Sequence, residues 1–431
     1  MSQGNAKHGK RGYFLCNRIG KTASFLANAE LEGTVLTGDN QTGDGDGWSD
    51  YRDAEPFSLT AQGHDLTIFP HGKDRLDQLC DLISGARNSL KIFYYTFQQD
   101  SAGQRVLDAI TDAARRGVDV CLMVDRFGTD APDEFFDPIK ENGGKYAVFS
   151  PKFSRRYLIR NHQKMCIIDH EIAMVGGFNV SDQYFAEPRD NGWCDIGVQM
   201  AGPVVNDLVK WFDQLSNYAE DSSSQYRAIR KLIKDWVPGN TKACLTLGGP
   251  TRSPSNWARM VKQDIAKGRR LDMVMAYFSP PRSFRRLLSK LAGRGSARLV
   301  MAGKSDNYTT VYASRATYGG LLRQGAKIYE FQPTKLHMKL IVIDDIVYFG
   351  SANFDHRSIR LNIELMFRFE DQGFADKMRE LIGGMTEASL EVTPELHGRR
   401  LNLWTALKWW LGWTIVSTID YTVARRLNFR D

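Results

Sequence analysis

Long apolar runs are absent from this sequence. No window of roughly 18 residues, the length a helix needs to cross a bilayer, is both apolar and uncharged. No transmembrane helix is therefore expected. Residues 1–21 are basic, but they have neither the continuous apolar core nor the small-residue cleavage site of a secretory leader. Cysteine is scarce and scattered, at Cys16, Cys80, Cys121, Cys166, Cys194 and Cys244, with no Cys-x-x-Cys pair. Cys80, Cys121 and Cys166 sit in apolar runs, as small core residues do. This usage fits a reducing compartment and argues against a disulfide framework or a structural zinc site. No group of His, Cys and carboxylate residues has metal-ligand spacing, so neither a catalytic metal nor another cofactor is expected.

What remains is an ordinary globular balance, 42% apolar and 25% charged residues. A length of 431 residues accommodates two domains or one large pseudo-symmetric unit. The net charge of +7 points mildly to anionic partners, nucleic acid or acidic lipid, and decides nothing alone.

Against these absences stands a repetition. Asn161-His162-Gln163-Lys164-Met165-Cys166-Ile167-Ile168-Asp169 runs on to Gly176-Gly177-Phe178-Asn179. It returns 175 positions later as His337-Met338-Lys339-Leu340-Ile341-Val342-Ile343-Asp344, then Gly350-Ser351-Ala352-Asn353. Each copy reads His-x-Lys, four mostly apolar residues, Asp, a turn, a second apolar run, then Gly-Gly/Ser-x-Asn. Strand alternation puts His162 and Lys164 on one face and Gln163 on the other. The Gly and Asn positions fit a turn that returns an amide to that face. Imidazole, ammonium and amide side by side suit a phosphate ester. One His-x-Lys carries no weight; two copies agreeing at five residue types do.

The surrounding elements repeat too. Leu66-Thr67-Ile68-Phe69 reads as a strand, 75–86 as a helix, 90–97 as a buried strand, 103–116 as an amphipathic helix closed by Gly117, and 118–124 as a strand. Strands at 271–278 and 298–301, with a helix at 284–291 between them, reproduce that order. A helix over 312–324 and a strand over 326–331 lead into the second motif. This rhythm predicts an α/β chain made by internal duplication, with halves at 65–240 and 241–392 and one site at the pseudo-dyad between them. Residues 1–64 read as an extension, partly loop. Within it the Asp-rich stretch 38–47 resembles a calcium loop only faintly and reads as a solvated turn.

The paired His-x-Lys-x4-Asp motifs resemble the phospholipase D superfamily and, within it, bacterial cardiolipin synthases lacking N-terminal transmembrane helices. The resemblance covers about residues 65–392 and includes Tyr94-Tyr95-Thr96-Phe97, Trp193-Cys194-Asp195 and Tyr329-Glu330-Phe331-Gln332. It implies a duplicated fold of two α/β halves with mixed sheets. It implies catalytic residues His162, Lys164, Asn179, His337, Lys339 and Asn353, with His162 as the nucleophile that becomes a phosphohistidine and His337 as the general acid/base, or the reverse. The family's Trp-x-Asp and Asn-x-Glu patterns fall on Asp195 and on Asn362-Ile363-Glu364. Asp195 and Glu364 are accordingly assigned to orient the two imidazoles, with Asp190 as a rival. Asp169 and Asp344 close turns and read as structural supports. Asp355, Arg357 and Ser358 also match the family's run after the second Asn. In one departure, six residues separate Asp169 from Gly176 but only five separate Asp344 from Gly350, so a tighter second hairpin is expected. The two lysines would repel a divalent ion.

The implied reaction is transfer of a phosphatidyl group, from phosphatidylglycerol or phosphatidylethanolamine, to phosphatidylglycerol. The rivals are a hydrolytic phospholipase D, a nuclease of the superfamily, and a non-catalytic binding protein. Small nucleases of this kind carry one motif per chain, and both motifs here are complete, so nucleic acid is not the expected partner. The implied location is the cytoplasmic side of a bacterial inner membrane, peripherally attached. The tail, 393–431, holds Trp404, Trp409, Trp410 and Trp413 beside Lys408, Arg425, Arg426 and Arg430. It reads either as a helix in the bilayer interface or as one packed on the protein. Arg155, Arg156 and Arg160, just before the first motif, read equally as contacts to a head group, as contacts to a phosphate backbone, or as a solvated loop.

Overall fold

The computed structural model describes Trp48 and residues 50–150, 159–221, 226–240 and 242–416, all within one unit, Trp48–Asp431. The Asp-rich stretch 38–47, Cys16, Arg155, Arg156 and the tail arginines beyond residue 416 lie outside the described residues.

Two eight-stranded mixed sheets carry the two motifs. The first runs, edge to edge, through Phe57–Ala61, His64–Phe69, Gly197–Ala201, Ile172–Gly176, Lys164–Ile168, Ser89–Tyr94, Asp119–Asp125 and Lys145–Phe149. The second runs through Ala243–Gly248, Glu364–Glu370, Ile346–Gly350, Lys339–Ile343, Arg270–Met275, Ser296–Ala302, Lys327–Phe331 and Ser389–Glu391. Seven successive positions correspond. In each half the strand before the motif pairs parallel with its crossover partner and antiparallel with the motif strand. The duplicated α/β architecture expected from the sequence is the one observed. The halves differ by one edge strand each, at opposite ends of the seven. One of these, Phe57–Ala61, lies in the stretch read from the sequence as an extension; its short alternation Phe57, Leu59, Ala61 is paired in full with His64–Phe69.

Alternation along the motif strands divides the core. Met165 and Ile167 face a central cluster that also takes Leu340 and Val342 of the second half, together with Leu208 and Trp211 of the helix Val204–Glu220. Cys166 and Ile168 face an outer cluster with the helices Gly72–Gly85 and Ser101–Arg115. Ile341 and Ile343 face the equivalent outer cluster of the second half. Both strands are thus buried on two faces, which is why they read as near-continuous apolar runs. Because the central cluster belongs to both halves, neither half has a complete core of its own.

The hairpins behave as the spacing implied. Asp169 and His170 both have positive φ (53° and 61°) in the longer turn, and Asp344 has φ 50° in the shorter one. Asp and Asn tolerate this region better than most side chains. The Asp169 carboxylate accepts the backbone N–H groups of Arg87, Asn88 and Ser89 at 2.7–3.0 Å. Asp344 accepts those of Arg269 and Arg270 at 3.1 and 2.8 Å. Despite the missing residue, both carboxylates reach the same place, the start of the neighbouring strand. Asp169→Ala should lower stability by about 1–2 kcal/mol, discounted for exposure, with Asp169→Asn intermediate. Chemical denaturation of the two variants checks this, and an alanine variant as stable as the parent would refute the bracing role.

Candidate active site

Neither motif histidine lies inside its strand. Lys164–Ile168 and Lys339–Ile343 begin at the lysines, and each histidine sits two residues earlier, on a segment bridged to the other half. Asn161 pairs with Ile363, and the His162 N–H donates to the Ile363 carbonyl at 2.8 Å. Leu336 pairs with Cys194, and the His337 N–H donates to the Cys194 carbonyl at 2.8 Å. The residue after each bridge partner is the carboxylate. His162 Nδ1 therefore lies 3.1 Å from Glu364 Oε2, and His337 Nδ1 lies 2.7 Å from Asp195 Oδ2. The pairing is crossed: each half orients the histidine of the other. Asp190, the rival carboxylate, instead points outward, 67% exposed and beside Arg189.

Both carboxylates are wholly buried. Burial alone would raise the Asp195 carboxyl, but its hydrogen bond to His337 and the charges of Lys339 and Arg75 outweigh that and hold it below the usual range. Glu364 is lowered likewise, by His162, Lys164 and the Ser351 hydroxyl, against burial. The imidazoles go the other way. Burial, then Lys164, lowers His162 to about 4, with Glu364 opposing. Burial, then Lys339, lowers His337 to about 3, with Asp195 opposing. The resting site thus has two neutral imidazoles giving Nδ1–H to two carboxylates, which leaves both Nε2 lone pairs available.

Lys164 and Lys339 are buried as well, at 0% and 1% exposure. Lys164 Nζ donates to the His162 carbonyl at 2.5 Å, and Lys339 Nζ lies 2.9 Å from His337 Nδ1 and donates to the His337 carbonyl. Burial lowers Lys339 to about 8 and Lys164 well below its ordinary value; the charge of each lysine acts on the other half's histidine. Two desolvated ammonium groups at one point favour an anion there. Among the described residues no group of three or more His, Cys, Asp or Glu could hold a metal ion.

The Gly-Gly/Ser positions have a steric reason. A Cβ at Gly177 would stand 2.7 Å from both Asp195 carboxylate oxygens and 3.0 Å from Lys339 Cδ. At the matching position the Ser351 hydroxyl donates to Glu364 Oε2 at 2.5 Å. Asn179 accepts from the Thr96 N–H at 3.2 Å and donates to Tyr184 Oη at 2.8 Å. Asn353 Oδ1 is buried and finds no hydrogen-bond partner among the described residues. Asp355 caps the helix His356–Arg360 through the Ser358 N–H at 2.8 Å. Gln163 turns to the opposite face, where its Oε1 accepts from Trp211 Nε1 at 2.9 Å.

Sequence reasoning missed Arg75. Its fully buried guanidinium donates to the backbone carbonyls of Pro70 and Asp195, and at 2.7 Å to that of Tyr184. It fastens the loop that carries Asp195, Tyr184 and Trp193, and the latter two rings lie 5.0 and 5.4 Å from the His337 ring. The signal was present: Arg75, Leu79 and Ile83 form one apolar stripe, with an arginine where a leucine was due. Tyr95 was also missed; its ring stands edge-on to His162 at 4.9 Å, with Lys164 Nζ 5.2 Å from its centroid.

These dyads and lysines define a phospholipase D-type site, on the fold that the paired motifs implied. The chain belongs to the family described as cardiolipin synthase, phospholipase D-like domain, which matches residues 79–216 and 261–385. It is 27% identical over 355 residues to the cardiolipin synthase of Clostridium perfringens strain 13, covering 80% of this chain and 75% of that protein. It is 29% identical over 341 residues to cardiolipin synthase A of Pseudomonas putida, covering 77% and 70%. The crystal structure of phosphatidylserine synthase from Haemophilus influenzae shares the fold, with TM-score 0.66 at 13% identity, covering 88% of this chain and 97% of that one.

Burial of two neutral imidazoles links stability to pH. Below about pH 6.5 the unfolded chain takes up protons that the folded histidines refuse. Their contribution is present above that pH and is lost as pH falls toward about 4 at His162 and about 3 at His337. Asp195 and Glu364, both lowered, act in the same direction at still lower pH. Tm should fall as the buffer goes from about pH 7 to about pH 4.5, and the double variant His162→Asn/His337→Asn should show a shallower fall. Equal slopes by calorimetry would overturn the neutral assignment.

Proposed function

We propose that the protein joins a phosphatidyl group to phosphatidylglycerol through a phosphohistidine intermediate. Family membership makes it a phosphatidyltransferase of the phospholipase D superfamily; the steps and the substrates are the reading argued here. The observation that carries it is the crossed pair of His–carboxylate dyads around two buried lysines.

His162, with Nδ1–H held by Glu364, attacks the phosphodiester phosphorus through Nε2. The P–O bond to the leaving alcohol breaks, and His337 gives that oxygen a proton. The seated phosphate anion, added to the standing charge of Asp195, raises the proton affinity of His337 above its resting value, and the imidazole takes that proton from solvent at Nε2 before the P–O bond breaks. Lys164, Lys339 and the two asparagine amides hold the non-bridging oxygens, where negative charge accumulates in the transition state. A hydroxyl of phosphatidylglycerol, losing its proton to His337, then displaces His162 and restores both imidazoles. The halves 65–240 and 241–392 work as one catalytic unit, because each completes the other's dyad. Phosphatidylglycerol and phosphatidylethanolamine are the proposed donors. Peripheral contact with the cytoplasmic side of the inner membrane, rather than a nucleic-acid partner, suits these substrates.

Two experiments test this reading. Mass spectrometry of lipids after incubation with phosphatidylglycerol vesicles should find cardiolipin and glycerol, absent with His162→Ala. Phosphatidic acid alone would make the protein a hydrolytic phospholipase D, and no turnover with either donor would sink the lipid reading. Separately, a diester with a nitrophenolate leaving group needs no protonation. With it, His337→Asn and Asp195→Asn should keep a first-turnover burst, whereas His162→Asn and Glu364→Gln should lose it by roughly 100-fold or more. The opposite grouping would exchange the two histidine roles.

A further inference from the structure

The tail helix Leu403–Thr414 presents two different faces. Its inner face is bolted down. Asn402 and Thr405 form a reciprocal cap at the N-terminus. Trp409 is buried and stacks on His397 at 5.2 Å. Gly412 lies so close to the helix Tyr308–Leu322 that a Cβ would meet Tyr312 Cβ at 2.9 Å. Just before the helix, Arg400 donates at 3.0 Å to Glu330, a fully buried carboxylate also held by Arg315 at 2.8 and 2.9 Å.

The outer face is apolar and bare. Leu403 is 91% exposed, Trp404 74% and Trp410 57%, with Leu407 and Leu411 also exposed. At 100° per residue these five positions fall within one stripe about 120° wide. Seven of the ten large exposed hydrophobic residues among the described ones lie between Leu401 and Ile415, so the patch is a concentration and not scatter. Cations flank it. Lys408 is exposed at its edge, Arg285 of the helix Arg282–Arg294 lies 5.4 Å from the Trp413 ring, and Arg282 and Arg286 of that helix are exposed.

We infer that this outer face of the tail helix seats the protein on an anionic phospholipid bilayer. The inference rests on the phosphatidyltransferase reading for its purpose, but not for its geometry. Tryptophan and leucine with cations at the rim match the bilayer interface, where aromatic rings sit at head-group depth and lysine and arginine meet acidic lipid. A second copy would bring like-charged rims together. The inner face links the helix to an element that leads to the site. The helix Tyr308–Leu322, against which Gly412 packs, starts two residues after Asp306. Asp306 accepts from Tyr277 Oη at 2.8 Å, and its charge acts on Lys339. The two sequence readings of the tail, packed helix and interface helix, are therefore the two faces of one element.

The test is sedimentation of the full chain with phosphatidylglycerol or phosphatidylcholine vesicles, comparing the parent with Trp404→Ser/Trp410→Ser. The parent should bind phosphatidylglycerol vesicles, and the variant should bind about tenfold or more weakly. Turnover of a short-chain phosphatidylglycerol, dissolved as monomer, should stay within about twofold, which also reports the fold. Brominated phosphatidylglycerol should quench tryptophan fluorescence of the parent, a readout that needs no variant. Unchanged vesicle binding by the variant, no binding or quenching with the parent, or a dimer that the substitutions dissolve would each overturn the inference. A parent that binds vesicles yet transfers no phosphatidyl group would sink the proposed function and leave the seating intact.

Discussion

The hydrogen bonds from His162 to Glu364 and from His337 to Asp195 are the constraint on which the rest depends. Each joins an imidazole of one half to a buried carboxylate of the other. A buried carboxylate without a partner is expensive, and so is a buried imidazole with its Nδ1–H unmet. Neither half can therefore stand alone without leaving charge uncompensated in its own interior. The central apolar cluster repeats this dependence in packing, since Met165 and Leu340 share it across the dyad. Core and chemistry are joined at one interface. The phosphohistidine intermediate proposed above would gain from that arrangement, because the groups proposed to hold the phosphate also close the fold.

Much of this was legible in the sequence, and the limit of legibility has a physical cause. A period of two, repeated with the same five residue types, is a local signal. It gave the motif strands, the turn aspartates, Gln163 on the opposite face, and the shorter second hairpin. The crossed pairing is not local. It follows from two single bridges, Asn161 to Ile363 and Leu336 to Cys194, between segments some 140 to 200 positions apart. The family's patterns assigned Asp195 and Glu364 to the two imidazoles and stopped there, since a motif marks positions and says nothing about which copy touches which. Arg75 was overlooked for a related reason. A lone cation on an apolar stripe acquires meaning only when the carbonyls that face it are known, and two of those come from a loop more than 100 positions away.

The edge strand Phe57–Ala61 shows the same limit at smaller scale. Five residues of weak alternation beside a loop are not a strand until a partner pairs with them. The tail shows it in reverse. Its tryptophans were evident at once, but a helical stripe of tryptophan is compatible with a packed helix and with an interfacial one. Only burial of Trp409 beside exposure of Trp404 and Trp410 separates the two faces.

The duplication leaves the two imidazoles chemically matched, so any difference between them comes from their surroundings. The strand registers make this concrete: Tyr94 pairs with Lys164 and Met275 with Lys339, so Tyr95 and Ala276 occupy equivalent places. A tyrosine ring stands edge-on to His162 where the other half supplies only a methyl group. Around His337 the walls are Tyr184 and Trp193, held by the loop that Arg75 fastens. Burial dominates the depression of both histidines, and these rings supply part of it. The proposed division of attack from proton transfer between two imidazoles requires something that breaks their symmetry. Here the aromatic walls differ, and so do the dyads: Glu364 also accepts from the Ser351 hydroxyl, whereas Asp195 faces Gly177.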